Sequence, residues 1–349
     1  MTLKSSDFTI CILDGIARSG TTFTGAVINS LPDTFFLMDT FKLPQYYQEM
    51  HGHCGHPYNI SEMAKSSNTD FGKMIPSYSS FEMHCVNPTL ARLGDREKEA
   101  RIKERLRKRA NDKPFLSYVR AFELFYETLR EEYQVRVVGG KTTFCHAYKN
   151  QMLLNIPNLK WIDIIRDVRG VMCSGVTGHY RIGRVGRFDP WREQVNSIKN
   201  LSTSIEKGRH LLIKYEDIIL KKEETMYKIA NFLGIESFDY KEWEKKPILK
   251  NDGSLFGTHS SFDESGKPLK EFYFREGKMF DTKPVKRWET FFSKSEKWLL
   301  TKVYRQELSF LGYPIKKGFS MNLSIFLSYL RICFWRCLFR LRGIWKKAI

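Results

Sequence analysis

The chain has 349 residues, of which 42% are hydrophobic and 28% charged, a composition too apolar for a disordered protein and sufficient for one large α/β domain or two small ones. The net charge of +18 fits an anionic small ligand, an anionic membrane surface or nucleic acid, and does not choose among them. Seven cysteines with no CxxC pair argue against a disulfide framework and favour a reducing compartment.

The first element in the chain is a predicted strand. The run Phe8–Leu13 is apolar and rich in β-branched residues, as buried parallel strands are. A glycine-containing loop follows at once, and Phe23, Val27 and Leu31 then recur every four positions, which predicts a helix. Nothing before the loop has the pattern of a signal peptide or a membrane anchor, so we expect a cytoplasmic protein.

The loop between this strand and helix has the spacing of a phosphate-binding loop. Gly15 and Gly20 match the pattern G-x-x-x-x-G-K-[ST], but Thr21 stands where the lysine belongs. Glycine-rich backbone N–H groups, a helix N-terminus and the hydroxyls of Thr21 and Thr22 still form an anion cradle. Arg18 supplies a positive charge inside the loop. This combination suits a 5′-phosphosulfate better than ATP, and an ordinary strand–turn–helix connection is the alternative.

Further strands and helices alternate along the chain. The stretch from about Gln45 to Pro88 is irregular and is interpreted as an insertion over the sheet. We predict strands over 135–138, 160–165 and 210–217, a solvated helix over 96–109, and helices over 117–133 and 223–233, the last closed by Gly234. The predicted fold class is therefore α/β, a P-loop-like parallel sheet flanked by helices on both faces, with a C-terminal amphipathic helical segment.

With these elements in place, the loop Arg18-Ser19-Gly20-Thr21-Thr22 resembles the 5′-phosphosulfate loop of a known family. The family is that of the sulfotransferases that depend on 3′-phosphoadenosine 5′-phosphosulfate (PAPS), in the branch that includes tyrosylprotein sulfotransferases and many bacterial enzymes. Further family elements recur in the expected order between Ile10 and about Pro314. The resemblance implies PAPS as co-substrate, with no metal required.

The resemblance also implies which residues bind the nucleotide. Arg166 and Ser174, eight positions apart, match the pair that holds the 3′-phosphate, and a guanidinium with a hydroxyl at the following helix start suits that role. Tyr215, in a Tyr-Glu pair at a strand end, matches the tyrosine near the adenine. The segment from Asp281 to Trp288 is similar to the loop that closes over the nucleotide, in which Lys283, Lys286 and Arg287 are unranked candidates for the 3′-phosphate.

Sulfuryl transfer needs in-line positioning, positive charge on the moving oxygens and a base for the acceptor hydroxyl. We assign Arg18 and Lys141 to provide the positive charge on the moving oxygens. Lys141 follows a predicted strand, at the place where family members have a lysine. For the base we assign Asp39, about twenty positions after Arg18, although family members usually carry glutamate there. Histidine serves in other sulfotransferases, and His84 and His146 remain alternatives.

Two clusters are assigned no chemistry. His51, His53, Cys54 and His56 would need further ligands at suitable spacing to hold zinc, so we interpret this stretch as a solvated loop near the acceptor. The basic run from Arg96 to Arg109 is interleaved with glutamates and has no aromatic residues for base stacking, so we expect no nucleic-acid partner.

The last 34 residues differ from the rest, which leads us to predict a sulfotransferase domain over 1–315 and a basic segment over 316–349. The segment contains eight Lys/Arg and no Asp/Glu, and its cations alternate with Trp, Phe, Leu and Ile. Its longest uncharged run, 13 residues, is short of the ~20 that span a bilayer. The pattern favours an interfacial helix on an anionic membrane over a helix packed on protein. We therefore expect a peripheral protein of the cytoplasmic membrane face.

Together these observations predict a sulfotransferase whose acceptor is a hydroxyl of a glycan, a glycolipid or another small molecule. A lipid-linked glycan would suit a membrane-surface enzyme. Two alternatives stay open. One is a P-loop kinase-like nucleotide phosphotransferase, against which the missing lysine counts. The other is an inactive membrane-associated adaptor, against which the retained Arg18, Lys141, Arg166 and Ser174 count.

Overall fold

A computed structural model of the chain describes residues 8–40, 75, 77–111, 117–142, 148–174, 189–201, 203, 205–257, 280–315, 327 and 330. These residues belong to two compact units, which are described separately. The first unit comprises Met1–Ile165 with Ser197–Phe256, and the second comprises Arg166–Asn196 with Gly257–Ile349. The histidine cluster at 51–56, His146 and almost all of the segment 316–349 lie outside the described residues.

The first unit is built on a parallel sheet of five strands in the order β2-β3-β1-β4-β5. The strands are β1 Thr9–Asp14, β2 Thr34–Thr40, β3 Val137–Thr142, β4 Leu159–Ile165 and β5 His210–Lys214. Apolar β-branched runs make β1 and β4 almost wholly buried, as parallel strands covered on both faces require. The predicted parallel α/β fold is confirmed.

Helices cover both faces of this sheet. The helices of the first unit are α1 Thr21–Asn29, α2 Tyr78–Phe81, α3 Asn87–Leu90, α4 Arg96–Asn111, α5 Tyr118–Tyr133, α6 Lys149–Asn155, α9 Tyr215–Leu220, α10 Lys222–Leu233 and α11 Tyr240–Glu244, with a π-helical turn Glu82–Val86 between α2 and α3. On one face, Ile10 and Ile12 of β1 share a core with Phe122 and Phe125 of α5. On the other face, α1 packs at Gly25 against Phe36.

The second unit is helical in the part that the structure describes. It contains α7 Val168–Ser174, the first part of α8 Asp189–Lys199, α12 Lys283–Phe291, α13 Lys294–Val303 and α14 Arg305–Phe310. Ser293 caps α13 through a capping box with Glu296, which separates this helix from α12.

Several predicted boundaries are also wrong. The strand predicted over 135–138 runs over Val137–Thr142, because Gly139 and Gly140 pair with β1 instead of turning away. Part of the stretch interpreted as an irregular insertion is helical, since residues 78–90 form α2, the π-helical turn and α3. The strand β2 was not predicted, although TFFLM at 34–38 is an apolar, β-branched-rich signal.

The helix α4 confirms the mixed-charge helix but not its complete solvation. Ile102, Leu106 and Ala110 form a buried face, and three of the arginines pair with α5, namely Arg101, Arg105 and Arg109. Arg101 Nη2 lies 2.8 Å from Glu132 Oε1, and Arg109 Nη2 lies 2.5 Å from Glu131 Oε2. The basic run therefore serves helix–helix packing in this unit.

Candidate active site

The glycine loop connects β1 to α1 in the first unit. The left-handed backbone of Arg18 (φ 72°) and Gly20 (φ 97°) turns the chain, and the Ser19 hydroxyl donates to Ile16 O at 2.7 Å inside the turn. Gly20 is the N-cap of α1 and has no side chain to accept from the first N–H groups of the helix. Backbone N–H groups at a helix start are suitable donors for an anion, and binding of a phosphate by this loop stays a prediction.

Other residues lie so close to Gly15 and Gly20 that neither position of the loop has room for a side chain. A Cβ atom on Gly15 would lie 2.7 Å from Ile164 Cγ2 and 2.7 Å from Ser19 Oγ. A Cβ atom on Gly20 would lie 2.4 Å from Cδ2 of Tyr215. The loop can therefore take this form only with glycine at both positions.

Lys141 brings a cation to this loop from the neighbouring strand β3. Its Nζ donates to Thr22 Oγ1 at 3.0 Å, and its side chain is 9% exposed. Burial, with a smaller contribution from the positive charge of Arg92, lowers the pKa of Lys141 to about 8. Lys141 lies within β3 and not in a loop after the strand, and the partner Thr22 could not be read from the sequence.

Tyr215 packs against the glycine loop at Gly20. The strand β5 ends at Lys214 and Tyr215 begins α9, so the prediction of a strand through Asp217 is wrong. The aromatic ring lies against Gly20 and meets Phe23 edge-on, with 6.1 Å between ring centroids. Tyr215 thus lies against the loop that holds Thr21 and Thr22, and its contact with the adenine stays a prediction.

Asp39 lies in an irregular part of β2. Leu37 pairs with Gly140 of β3, but the next residue of β3, Lys141, pairs with Thr40. Met38 and Asp39 therefore form a bulge directly before the residue that pairs with Lys141. Bulges of this kind often redirect a side chain beside an active site. His84, the alternative base, lies in the π-helical turn Glu82–Val86.

In the second unit, Arg166 is the first residue and its guanidinium reaches the start of α12. Its Nη2 donates to Pro284 O at 2.6 Å, and Trp191 Nε1 donates to Arg166 O at 2.9 Å. Gly170, one helical turn later, leaves room for the guanidinium, because a Cβ there would lie 3.0 Å from Arg166 Nε. Ser174 is the last residue of α7, so its placement at a helix start is wrong.

The charged candidates of α12 differ in their surroundings. The helix begins at Lys283, so Lys283, Lys286 and Arg287 lie in a helix and not in a loop. Lys283 and Lys286 are exposed, and Arg287 is half-buried. Burial raises the pKa of the Cys173 thiol to about 11, and the charges of Arg166 and Arg287 oppose this rise. Arg166 and Arg287 are thus both near Cys173, next to Ser174.

Arg169 and Asp167 form a buried ion pair beside Arg166 that was not predicted from the sequence. Both are buried, with Arg169 Nη2 2.5 Å from Asp167 Oδ2, and the Arg169 guanidinium stacks 4.0 Å from the centroid of Trp288 in α12. This pair joins α7 to α12 and so supports the position of Arg166 and Arg287. The repeated arginine in Arg-Asp-x-Arg was the available signal.

Two absences in the described part of the chain concern metals and membranes. Within the residues that the structure describes, no group of three or more His, Cys, Asp or Glu is placed to hold a metal ion. Among the helices of the same residues, none is long and apolar enough to cross a membrane.

Comparison with known proteins gives one family and one fold. The profile described as "Sulfotransferase family" matches residues 11–240. The sulfotransferase domain of the curacin biosynthetic pathway is 16% identical with a TM-score of 0.50, over 88% of this chain and 99% of that domain. The sulfotransferase domain of the Synechococcus PCC 7002 olefin synthase is 15% identical with a TM-score of 0.51, over 90% and 100%. The search of curated proteins gives no match.

Proposed function

Since this chain belongs to the sulfotransferase family, we propose that it transfers the sulfuryl group of PAPS to a hydroxyl of an acceptor. One observation carries the proposal. The loop lacks the lysine of nucleoside-triphosphate enzymes, and Lys141 Nζ reaches Thr22 Oγ1 at 3.0 Å from a neighbouring strand. The site thus combines an anion cradle with a cation beside it, which suits a 5′-phosphosulfate.

The proposed reaction is an in-line displacement at sulfur. The acceptor oxygen forms a bond to sulfur while the bond from sulfur to the 5′-phosphate oxygen breaks, and 3′-phosphoadenosine 5′-phosphate (PAP) leaves. Backbone N–H groups after Gly20, with the Thr21 and Thr22 hydroxyls, hold the 5′-phosphate. Lys141 and Arg18 stabilise the charge that develops on the leaving oxygen.

The proton of the acceptor hydroxyl needs a base, for which we propose Asp39. Its place in the bulge of β2, next to the residue that pairs with Lys141, supports this assignment. His84 and His146 are the alternatives. The full loss of transfer in Asp39→Asn, with PAP binding retained, would support Asp39, and an active Asp39→Asn would pass the role to a histidine.

The 3′-phosphate is assigned to the second unit. Arg166 provides a guanidinium that can bind phosphate through two parallel hydrogen bonds. Arg287 is the better supported of the three basic residues of α12. Its positive charge, like that of Arg166, opposes the rise in the pKa of the Cys173 thiol, so the two guanidinium groups are near the same residue. Ser174 adds a hydroxyl, and for the adenine we propose Tyr215.

Equilibrium binding of PAP, ADP and ATP to the wild type and to Arg166→Ala tests the co-substrate. We expect tight binding of PAP, weak binding of ATP, and an affinity for PAP about 100-fold lower in Arg166→Ala. Preference for ATP, or indifference to Arg166, would favour a kinase-like phosphotransferase instead. Retained transfer in Arg18→Ala would exclude the assigned role of Arg18, whereas a wild type that binds no nucleotide would favour an inactive adaptor.

We further propose that the acceptor belongs to an anionic membrane. A lipid-linked glycan or a glycolipid at the cytoplasmic face would be such an acceptor. The composition of residues 316–349 supports this, because bulky apolar residues alternate with eight cations. Cosedimentation of the full chain with phosphatidylglycerol-containing vesicles, compared with pure phosphatidylcholine vesicles, tests it. Binding to the anionic vesicles that is lost in Arg336→Glu/Arg340→Glu is expected, and equal recovery with both vesicle types would refute it.

A further inference from the structure

The amide side chain of Asn251 binds the backbone of β2 at its outer edge. Among the strands that the structure describes, β2 is at the edge of the sheet, so none of them pairs with the backbone groups on its outer side. Met38 N donates to Asn251 Oδ1 at 2.9 Å, and Asn251 Nδ2 donates to Phe36 O at 2.9 Å. The amide therefore makes the two hydrogen bonds that a residue of a further strand would make.

These hydrogen bonds lie at the irregular part of β2. The regular pairing of β2 with β3 ends at Leu37 and resumes at Thr40, so Met38 and Asp39 are inserted between two paired positions. A backbone N–H group on the outer side of an edge strand needs a partner from outside the sheet. Asn251 is that partner for Met38, the residue immediately before Asp39.

Asn251 is itself held in a defined position by a short hairpin. Leu249 and Leu255 form an antiparallel bridge, Lys250 N donates to Ser254 O at 2.8 Å, and Gly253 N donates to Lys250 O at 3.0 Å. A side chain that starts from such a turn loses little conformational freedom when it binds. The amide thus gives β2 a rigid support from a segment more than 200 positions later in the chain.

We propose that Asn251 is a positioning residue for sulfuryl transfer, because it holds the bulge of β2 and so holds Asp39 beside the strand that carries Lys141. This inference rests on the proposed function, in which Asp39 is the base. Asn251 acts through the backbone of Met38 and makes no contact with substrate in this role.

The test compares Asn251→Ala with Asn29→Ala in the full chain. Asn29 is a matched control, because its Oδ1 accepts from Phe36 N at 2.9 Å on the same strand edge, before the bulge. Turnover is measured as PAP released from PAPS with water as acceptor, so that the result does not depend on the identity of the hydroxyl acceptor. We expect Asn251→Ala to lower kcat about tenfold at unchanged KM for PAPS, and Asn29→Ala to keep kcat.

A double-mutant cycle separates positioning from a general loss of structure. In an Asp39→Ala background the further change Asn251→Ala should leave kcat unchanged, because the group it positions has been removed. Hydrogen exchange of the backbone amides should become faster in 38–40 of Asn251→Ala and stay slow in β3.

The outcomes distinguish the two proposals. A wild type that fails to bind PAP would overturn the proposed function and this inference with it. Normal PAP binding with a wild-type kcat in Asn251→Ala would overturn the positioning role alone. A different outcome is that Asn251→Ala lowers kcat equally in the wild-type and Asp39→Ala backgrounds, or accelerates hydrogen exchange throughout β3. Either result would show that Asn251 has only a structural role.

Discussion

The ring of Tyr215 lies so close to Gly20 that a methyl group on Gly20 would stand 2.4 Å from its Cδ2 atom. The left-handed backbone of Gly20 adds a second reason why only glycine fits. Tyr215, which begins α9, and Gly20, which caps α1, therefore pack against each other and form one surface. This surface carries the start of α1, where the phosphate is proposed to bind.

From this packing we expect Gly20→Ala to lower PAP affinity by more than tenfold and to destabilise the fold by about 1–3 kcal/mol. The methyl group must displace either the tyrosine or the loop. Calorimetric titration with PAP and thermal unfolding measure the two effects. Gly25→Ala is the control, because its Cβ would meet Phe36 at an ordinary 3.5 Å inside α1. Equal behaviour of the two variants would contradict the proposed role of this packing.

A smaller change is expected at Gly170, one helical turn after Arg166. A methyl group there would lie 3.0 Å from Arg166 Nε and push the guanidinium by a few tenths of an ångström. We expect Gly170→Ala to weaken PAP several-fold, since a bidentate contact depends on geometry. Binding of adenosine 5′-phosphosulfate, which has no 3′-phosphate, should stay unchanged, and alanine should not lower helix stability. Equal weakening of both nucleotides would assign Arg166 elsewhere.

The depressed pKa of Lys141 predicts a loss of activity at alkaline pH. Because the pKa is about 8, the ammonium loses its proton far below the ordinary value, and kcat/KM for PAPS should fall as pH rises through about 8. Stability should change in the opposite direction. The unfolded chain keeps this proton up to a pKa near 10.5, so unfolding takes up a proton between these values and the fold gains stability as pH rises.

Two variants check the assignment of this titration. Arg92→Ala removes the like charge that contributes to the low pKa of Lys141, so the inflection of kcat/KM should move to higher pH. Lys141→Arg should show no inflection near pH 8, because a guanidinium stays protonated there. An inflection that persists in Lys141→Arg would belong to a different group.

The buried ion pair between Lys149 and Asp163 is expected to stabilise the fold and to play no part in binding the nucleotide. Lys149 Nζ lies 2.5 Å from Asp163 Oδ2 and His210 Nε2 lies 2.7 Å from the same oxygen, with both Lys149 and Asp163 fully buried. We expect Lys149→Met to destabilise the fold by about 3–5 kcal/mol, because it leaves a buried carboxylate without its ammonium. Lys149→Met/Asp163→Leu should recover most of this loss, measured by denaturant unfolding.

The same pair predicts the response to acid. Burial alone would raise the pKa of Asp163, but the charges of Lys149 and His210 hold it well below its ordinary value. The stability that this carboxylate contributes is therefore complete above its unfolded pKa of about 3.9 and is lost as pH falls toward the folded value. Wild type should lose more stability below pH ~4 than Lys149→Met/Asp163→Leu, and identical acid profiles would refute the contribution.

The parts of this protein that were predicted from the sequence are local. The strand before Gly15, the loop to Thr22 and the helix after it depend on residues that are neighbours in the chain. Hydrophobic runs and glycine spacing report such elements directly, because backbone sterics and side-chain periodicity act over a few residues. The helix predicted over 117–133 was found for the same reason, and the structure adds that Ser117 is its cap.

What the sequence did not disclose are the contacts that the tertiary structure creates between distant residues. Lys141 reaches Thr22 across 119 positions, because β3 pairs with β1, which leads into α1. Asn251 reaches Met38 across 213 positions from a hairpin that is not part of the sheet. The bulge at Met38–Asp39 is likewise a property of the pairing of β2 with β3. The sequence alone predicted which groups would bind an anion, and the sheet decided which of them lie side by side.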